Sequence, residues 1–270
     1  MLAELHGPAL QEVVAFEEAE PADEPALLRA HTRDYLELLS AVDRRGGGRL
    51  DEDTVMSRHS LAAARHAAGA AIRVARLALE GTPAFAATRP PGHHALPGAA
   101  MGFCLINNVV VAAHAVIEEG GLGRVLIVDW DVHHGNGTQA MVERDPRIRY
   151  VSLHQWPLYP GTGREEERGV GNVFNVPRPA GLPRATYVRD LNDAVARATD
   201  GWKPDLLLIS AGFDALAGDP LAQFPLEPED YATWVREWRT MGVPMASVLE
   251  GGYAPARVAG AAAAHVRALA

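Results

Sequence analysis

The sequence predicts an α/β domain with a central, mainly parallel sheet. Short apolar, β-branched runs alternate with segments of helical spacing, and polar residues follow each run. The runs are continuously apolar, which is typical of parallel strands that are buried on both faces. With 270 residues, 48% hydrophobic and 22% charged, the chain is long enough for a sizeable core. Since no linker interrupts the pattern, we expect a single domain over residues 1–270.

Two helices are expected before the first strand. Residues 26–42 carry apolar side chains at helical spacing, and residues 57–79 form a long alanine-rich stretch. Ser57 or Ser60 fits the N-cap of the second helix, because a serine hydroxyl accepts from the free N–H groups of a first turn. Residues 44–49 include three consecutive glycines and are expected to form a loop.

Strands and helices are expected to alternate after residue 80. The strands are predicted over residues 84–88, 125–130, 148–153, 206–211 and 244–249. The helices between them are predicted over residues 107–119, 137–144, 185–199 and 228–241. Alternation of this kind is typical of a parallel sheet that helices cover.

Composition excludes several classes of protein. The net charge of −9 gives no basic field for nucleic acid, and a single cysteine, Cys104, excludes a disulfide framework and a cysteine-based zinc finger. Neither a secretory signal nor an apolar run of 18 residues is found, so we expect a cytoplasmic protein without a membrane partner. Lys203 is the only lysine and alanine is abundant, which is typical of a GC-rich bacterial genome. The sequence contains no coiled-coil heptad pattern, so it does not predict the oligomeric state.

Polar, metal-competent or titratable residues accompany all five predicted strands. In strand order they are His93 and His94; Asp129, Asp131, His133 and Asn136; Ser152; Asp214; and Tyr253. In open α/β sheets, ligands bind outside the carboxyl ends of the strands. We therefore expect these side chains to meet at one edge of the sheet.

Asp131, His133 and Asp214 are the predicted metal ligands. The spacing of Asp131 and His133 lets both side chains project to one side as the chain leaves a strand. Two carboxylates and one imidazole suit Zn²⁺, and three protein ligands leave a position open for water or substrate. A lone Asp at a strand end is more often a turn former or a helix cap. A structural segment has little reason, however, to crowd two acids and two histidines at a buried strand end, where unpaired charge is costly.

His93, His94 and Tyr253 are the predicted catalytic groups. Two imidazoles beside a metal-bound water offer a general base and a general acid near neutral pH. Asp129 and Asn136 are expected to orient them, with the Asp raising the basicity of one imidazole. Tyr253 follows two glycines, and its hydroxyl could donate to a developing oxyanion.

These motifs together resemble the zinc-dependent histone deacetylase superfamily, which includes bacterial histone deacetylase-like amidohydrolases and acetylpolyamine amidohydrolases. The matching segments occur in family order at residues 89–94, 102–104, 129–137, 160–163, 212–214, 218–221 and 250–253. Asn136 and Glu250 make the chain most similar to the class II and bacterial branch. The resemblance implies a three-layer arginase/deacetylase fold. It also implies hydrolysis of an acyl amide by a metal-bound water that attacks the carbonyl.

The resemblance implies a role for individual residues. It places one Zn²⁺ at the predicted ligands, makes His94 the general base and acid with His93 as its electrostatic partner, and lets Tyr253 polarise the acetyl carbonyl. The implied tunnel for an alkyl stem is flanked by Phe103 and Tyr159, with Leu221 at its wall and the Gly102 carbonyl accepting from the substrate amide. A structural K⁺ is also implied, near Asp129, Asp131, His133, Ser152 and Leu153.

Two departures from the family pattern stand out. Relatives begin with an extra strand and a His-Pro-Glu-Arg-Pro-type segment, which this chain lacks, so the N-terminal family strand is expected to be absent. Tyr159 stands where many relatives have Phe, which makes the expected tunnel more polar. Leu221 replaces the acid of some polyamine-selective relatives and disfavours a polyamine gatekeeper.

The substrate and two rival functions stay open at this point. An acetyl-lysine protein, an acetylpolyamine and a small acylated metabolite all present an alkyl stem and an amide. A ureohydrolase of the arginase type would need carboxylates for a second metal where this chain has Gly135 and Leu216. A non-catalytic protein that only binds a metal or an acylated ligand would be expected to lose Tyr253 or a metal ligand, and both are present.

Overall fold

The computed structural model describes residues 1–8 and 10–270. Its helices are α1 Leu2–Leu5, α2 Glu24–Leu27, α3 Arg33–Arg44, α4 Ser60–Leu79, α5 Asn108–Gly120, α6 Asn136–Val142, α7 Arg184–Thr199, α8 Pro228–Arg239 and α9 Pro255–Leu269. Its strands are β1 Gly47–Arg49, β2 Val55–Ser57, β3 Ala84–Ala86, β4 Val125–Asp129, β5 Ile148–Gln155, β6 Val173–Arg178, β7 Leu206–Ala211 and β8 Met245–Leu249. None of these helices is both long enough and apolar enough to cross a membrane.

A six-stranded sheet in the order β3-β8-β7-β4-β5-β6 forms the centre of the molecule, and all its strand pairs are parallel. The register aligns the last residue of β4, Asp129, with Ser152 of β5 and with Ser210 of β7. The segments that leave β4 and β7 therefore start side by side. The predicted α/β class with a mainly parallel sheet is confirmed.

Apolar side chains pack on both faces of this sheet. Ile127 belongs to a cluster with the alanines of α4 and the valines of α5, whereas Leu126 and Val128 belong to a cluster with α7, α8 and α9. Neighbouring residues of a strand point to opposite faces, so one apolar run supplies both clusters. On the second face Trp130 stacks on Trp234 with ring centroids 5.7 Å apart. The molecule thus has three layers, helix, sheet and helix.

Several elements differ from the sequence prediction. The helix expected over residues 26–42 is divided into α2 and α3, because Thr32 is extended and its hydroxyl caps the second helix at the N–H of Tyr35. The expected loop at 44–49 contains β1, which pairs with β2 in a small antiparallel hairpin. The N-cap of α4 is His59 rather than Ser57 or Ser60, and Ser60 is instead the first helical residue.

Strand β6 and helix α9 also lie outside the prediction. Strand β6 is an edge strand that contains Pro177 and polar residues, so its sequence lacks the apolar run of a central strand. Helix α9 covers the sheet through residues at helical spacing, among them Val258, Ala262 and His265. The other predicted helices begin and end within three residues of the observed ones.

The segment before α2 packs along the domain. Leu5 and Leu10 are buried beside Ala263 of α9. Farther along, the N–H of Ala22 donates to the Arg65 carbonyl of α4 over 2.8 Å, and Arg73 pairs with Glu17. This segment therefore covers α4 and one end of the sheet.

Candidate active site and metal centre

The carboxyl ends of four neighbouring strands position the candidate site. Asp129 ends β4, and Asp131 and His133 follow it; Asp214 follows β7; Tyr253 follows β8; and His93 and His94 follow β3. The first residues past β4, β7 and β8 are buried because they lie between the two helical layers. The single sheet edge expected from the sequence is the edge at which the structure assembles these residues.

Asp131, His133 and Asp214 form the densest polar cluster at this edge. One ligand atom from each lies within 4.8 Å of the others, and both carboxylates are fully buried. His133 Nδ1 is 3.1 Å from Asp131 Oδ1 and 3.1 Å from Asp214 Oδ2. Two backbone amides hold the carboxylates from behind, since Gly251 N–H donates to Asp131 Oδ2 and Val132 N–H donates to Asp214 Oδ1, each over 2.8 Å. Such outer contacts orient metal ligands.

Two glycines leave room for the carboxylates of this cluster. A Cβ at position 212 would overlap with the Asp131 side chain, and a Cβ at position 251 would overlap with both Asp131 and Asp214. The donor set of two carboxylates and one imidazole, together with this close backbone wall, fits a zinc ion with an open position.

The electrostatics of the cluster also fit a cation. Burial lowers the pKa of His133, but its hydrogen bonds to Asp131 and Asp214 outweigh burial and raise that pKa to about 10. Burial and the Asp131 charge raise the pKa of Asp214 to about 7, against the opposing effect of His133. The two carboxylates therefore favour a positive charge between them, as the raised pKa of His133 indicates. A bound cation would supply that charge.

His93 and His94 lie beside the cluster and have different partners. Their ring centroids are 4.0 Å apart, and the His94 ring is 6.0 Å from that of His133. His93 Nδ1 faces Asp129 Oδ2 at 3.1 Å, whereas His94 Nδ1 faces Asn136 Oδ1 at 2.8 Å. An anionic partner favours an imidazolium, and a neutral amide oxygen does not.

The two imidazoles consequently differ in protonation. Burial lowers the pKa of His93, but the charges of Asp131 and Asp129 raise it well above its usual range. Burial and the nearby His93 hold the pKa of His94 well below its usual range. Because the oxygen of Asn136 can only accept, the neutral His94 carries its hydrogen on Nδ1 and its lone pair on Nε2. The environment therefore favours the charged form of His93 and the neutral form of His94.

Comparison with known proteins identifies the family. The family model described as "Histone deacetylase domain" matches residues 1–269. The chain belongs to the histone deacetylase family. Membership of this family indicates deacetylase or amidohydrolase activity on an acetylated substrate. The family is generally metal-dependent.

Relatives within the histone deacetylase family come from several lineages. The chain is 40% identical to a histone deacetylase-like amidohydrolase of Pseudomonas aeruginosa over 252 residues, which is 89% of this chain and 66% of the relative. It is 38% identical to a probable deacetylase of Methanothermobacter thermautotrophicus over 236 residues, which is 85% of this chain and 71% of the relative. A crystal structure of the HDA15 HD domain superposes with a TM-score of 0.94 at 35% identity, over 99% of this chain and 78% of that one. The expected arginase/deacetylase fold is confirmed.

The residues expected to line the family tunnel lie on the open side of the site. Phe103, Tyr159 and Leu221 are each about 40% exposed. The Tyr159 ring is 5.2 Å from that of His94, and the Phe103 ring is 6.1 Å from that of Tyr253. Aromatic side chains thus flank the approach to the histidines and to Tyr253.

The Gly102 carbonyl accepts from the Cys104 thiol over 3.3 Å, and Gly102 has a positive φ of 57°. That conformation suits glycine, and a Cβ there would overlap with the His94 ring.

The residues implied for potassium lie at the end of β4, in the segment that follows it, and on β5. Ser152 is in register with Asp129, and the Ser152 hydroxyl lies 2.9 Å from His154 Nδ1. Leu153 pairs with Val176 of β6. Binding of K⁺ at these positions stays a prediction.

Two residues outside the sequence prediction support the site. The Tyr150 hydroxyl donates to Asp129 Oδ2 over 2.9 Å, so the carboxylate that faces His93 is itself held. Asp219 accepts from the N–H of Tyr253 and from the N–H of Leu221, over 2.8 and 2.9 Å. Tyr150 lies within an apolar run and carries no sequence signal. Asp219 lies in the family segment 218–221, so the resemblance could have indicated it.

Proposed function

We propose that this chain is a zinc-dependent deacetylase that hydrolyses the acyl amide of an alkylamine. The observation that carries the proposal is geometric: His94, whose Nδ1 faces the Asn136 oxygen, lies beside a buried Asp131–His133–Asp214 cluster. A general base next to three converging metal-ligand atoms is the arrangement that amide hydrolysis needs.

Asp131, His133 and Asp214 would hold the zinc ion. When bound, zinc supplies a Lewis acid for the substrate carbonyl and lowers the pKa of a water molecule. The backbone N–H groups of Gly251 and Val132 keep the two carboxylates oriented toward His133. The ligands are buried between the helical layers, so bulk water is excluded from them.

His94 moves the proton. Its Nε2 accepts a proton from the attacking water, while Asn136 holds Nδ1 and thereby fixes the direction of the ring. His94 then returns the proton to the departing amine, which makes it base and acid in turn. His93 stays protonated between Asp129 and Asp131. The positive charge of His93 keeps His94 neutral until the proton arrives.

Tyr253 stabilises the developing charge on the carbonyl oxygen. Burial and the charges of Asp214 and Asp131 raise the pKa of Tyr253 well above its usual range. The phenol therefore keeps its proton at neutral pH and can donate a hydrogen bond to the oxyanion. Asp219 holds the backbone of this residue at Tyr253 N–H.

The open side of the site suits an alkyl stem. Phe103 and Tyr159 offer ring faces and edges, Leu221 adds an exposed apolar side chain, and the Gly102 carbonyl offers an acceptor for the amide N–H. Acetyl-lysine, an acetylpolyamine and a small acylated amine all contain such a stem. Binuclear ureohydrolase chemistry lacks its ligands, since Gly135 has no side chain and Leu216 is buried and apolar.

Zinc content and turnover on the purified protein test the proposed function. We expect about one zinc per chain and turnover of a fluorogenic acetyl-lysine peptide, an acetylated polyamine or another acyl amine of the panel. Asn136→Ala provides the matched comparison, because it removes the contact to His94 and leaves the three ligand side chains in place. We expect this variant to keep its zinc and to turn the substrate over more slowly than the wild type. Stoichiometric zinc without turnover of any acyl amine would contradict the proposal.

A further inference from the structure

Glu250 is a buried carboxylate to which the mechanism above assigns no role. It directly follows β8 and is fully buried. Its Oε2 accepts from the backbone N–H of Gly92 over 2.7 Å and from that of His93 over 3.1 Å. Its Oε1 accepts from the Ser210 hydroxyl over 3.0 Å. One side chain therefore pairs three donors, from the turn after β3 and from β7.

The turn that carries His93 and His94 depends on outside partners for its amides. Strand β3 ends at Ala86, so the N–H groups of Gly92 and His93 lie beyond the strand ladder. A buried N–H without a partner destabilises the folded state. On the carbonyl side of the turn, Thr138 N–H of α6 donates to His93 O over 3.1 Å. On the other side of the turn, the N–H groups of Gly92 and His93 have Glu250 as their acceptor.

The same strand end also holds a predicted metal ligand. Glu250 binds the turn before His94, and its neighbour Gly251 donates to Asp131 Oδ2. His93 Nε2 lies 3.8 Å from Asp131 Oδ1, so the histidine pair and the metal ligands are close neighbours. Two consecutive residues therefore set the distance between the histidine pair and the metal ligands.

We propose that Glu250 is a positioning residue that sets the place of the His93–His94 turn relative to the metal ligands. Glu250 acts through the backbone of this turn, and the proposal rests on the proposed deacetylase function. Catalytic groups lose much of their effect when they are displaced by about 1 Å. Loss of the Glu250 contacts should thus lower the rate of the chemical step and leave the zinc ligands intact.

Glu250→Gln and Glu250→Ala separate geometry from charge. The Gln oxygen can accept from both amides, and its NH₂ group can donate to the Ser210 oxygen, so the contacts remain while the charge is lost. Alanine removes all three contacts. Glu166→Ala is the matched control, because Glu166 is exposed and takes part in none of these contacts.

Hydrogen exchange tests the turn without relying on activity. We expect the amides of a peptide that covers residues 89–95 to exchange at least tenfold faster in Glu250→Ala than in the wild type, Glu250→Gln or Glu166→Ala. Unchanged exchange in Glu250→Ala would overturn the proposal. This measurement stays decisive even if the wild type turned over no acyl amine, in which case the proposed function alone would fail.

Steady-state kinetics at full zinc occupancy test the consequence. We expect Glu250→Ala to lose about 50-fold or more in kcat with KM within about threefold, and Glu250→Gln to stay within about fivefold of the wild type in kcat. If Glu250→Gln were as impaired as Glu250→Ala, charge rather than position would be the cause, and the proposal would be wrong. Wild-type kcat in Glu250→Ala would overturn it as well.

Discussion

Single neighbouring residues decide the properties of the two adjacent imidazoles. His93 faces the carboxylate of Asp129, and His94 faces the amide of Asn136, although both rings are buried. A carboxylate stabilises the charged form of its partner by direct attraction, whereas an amide oxygen accepts a hydrogen bond without that charge. Asp129 is in turn held by Tyr150, which the apolar sequence around it does not reveal.

Tyr253→Phe tests the oxyanion donor. We expect the variant to keep its zinc and to lose about a hundredfold or more in kcat, because it lacks only the hydroxyl that would donate to the oxyanion. The measurement is steady-state turnover of an acetyl-lysine peptide together with metal analysis. A variant with nearly wild-type kcat would remove Tyr253 from the mechanism.

Asp214→Ala tests the metal ligands. The variant leaves only Asp131 and His133 at the cluster, and we expect it to lose stoichiometric zinc and all measurable turnover. Addition of zinc should raise the melting temperature of the metal-stripped wild type but not that of the variant, because a ligand stabilises only the folded state that binds it. Full zinc content in Asp214→Ala would refute this ligand assignment.

Contacts between the β1–β2 hairpin and residues 102–103 stabilise the open side of the site. The β1–β2 hairpin, which the glycine run at 44–49 conceals in the sequence, contributes Asp53 and Thr54. Asp53 accepts from Gly102 N–H over 3.0 Å, and the Thr54 hydroxyl accepts from Phe103 N–H over 3.0 Å. Both donor residues have positive φ, 57° at Gly102 and 64° at Phe103. The hairpin thus stabilises a backbone conformation that a non-glycine residue rarely adopts.

Thr54→Val tests this link between hairpin and tunnel wall. Valine has a similar shape but leaves Phe103 N–H without its partner, which costs about 1–3 kcal/mol. We expect KM to rise about tenfold with a smaller change in kcat, because the Phe103 ring contributes to substrate binding in the proposed function. Thr54→Ser should restore KM, and equal KM values for all three proteins would show that the hairpin does not affect binding.

At the scale of the whole molecule, buried neutral histidines couple stability to pH. His31 and His265 make their hydrogen bonds outside the metal cluster, to Leu96 and Asn107 and to Ser247. Burial lowers the pKa of His31 to about 4 and that of His265 to about 3. The unfolded chain binds protons at these side chains below pH 6.5, whereas the folded protein does not. The folded state therefore loses stability as the pH falls from 6.5 toward 4, and the loss is absent above pH 6.5.

His265→Gln isolates one of these contributions. His265 Nε2 lies 2.9 Å from the Ser247 hydroxyl, and glutamine can keep a polar contact there without titrating. Urea unfolding between pH 7 and 4.5 should show a shallower fall of the unfolding free energy in the variant, by up to about 1.4 kcal/mol per pH unit. Both proteins have the same metal site, so its pH dependence cancels in the difference between their unfolding free energies. Parallel curves would contradict the linkage.

Local pattern accounts for the elements that the sequence predicted correctly. The predicted strand at 206–211 coincides with β7, because a continuous apolar run suits only a buried position. The spacing of Asp131 and His133 likewise places both near the end of β4. The edge strand β6 and the hairpin escaped prediction, since their pairing depends on partners elsewhere in the chain.

The α/β class, the buried strands and the types of residue at their carboxyl ends can therefore be predicted from the sequence. These properties depend on burial and on neighbours along the chain. Packing in three dimensions is needed to know which groups meet: Asp214 with His133 across 81 positions, and Glu250 with the N–H of Gly92 across 158. It also decided which imidazole is charged, because the pKa of each depends on burial and on the charge of partners that packing brings within about 3 Å.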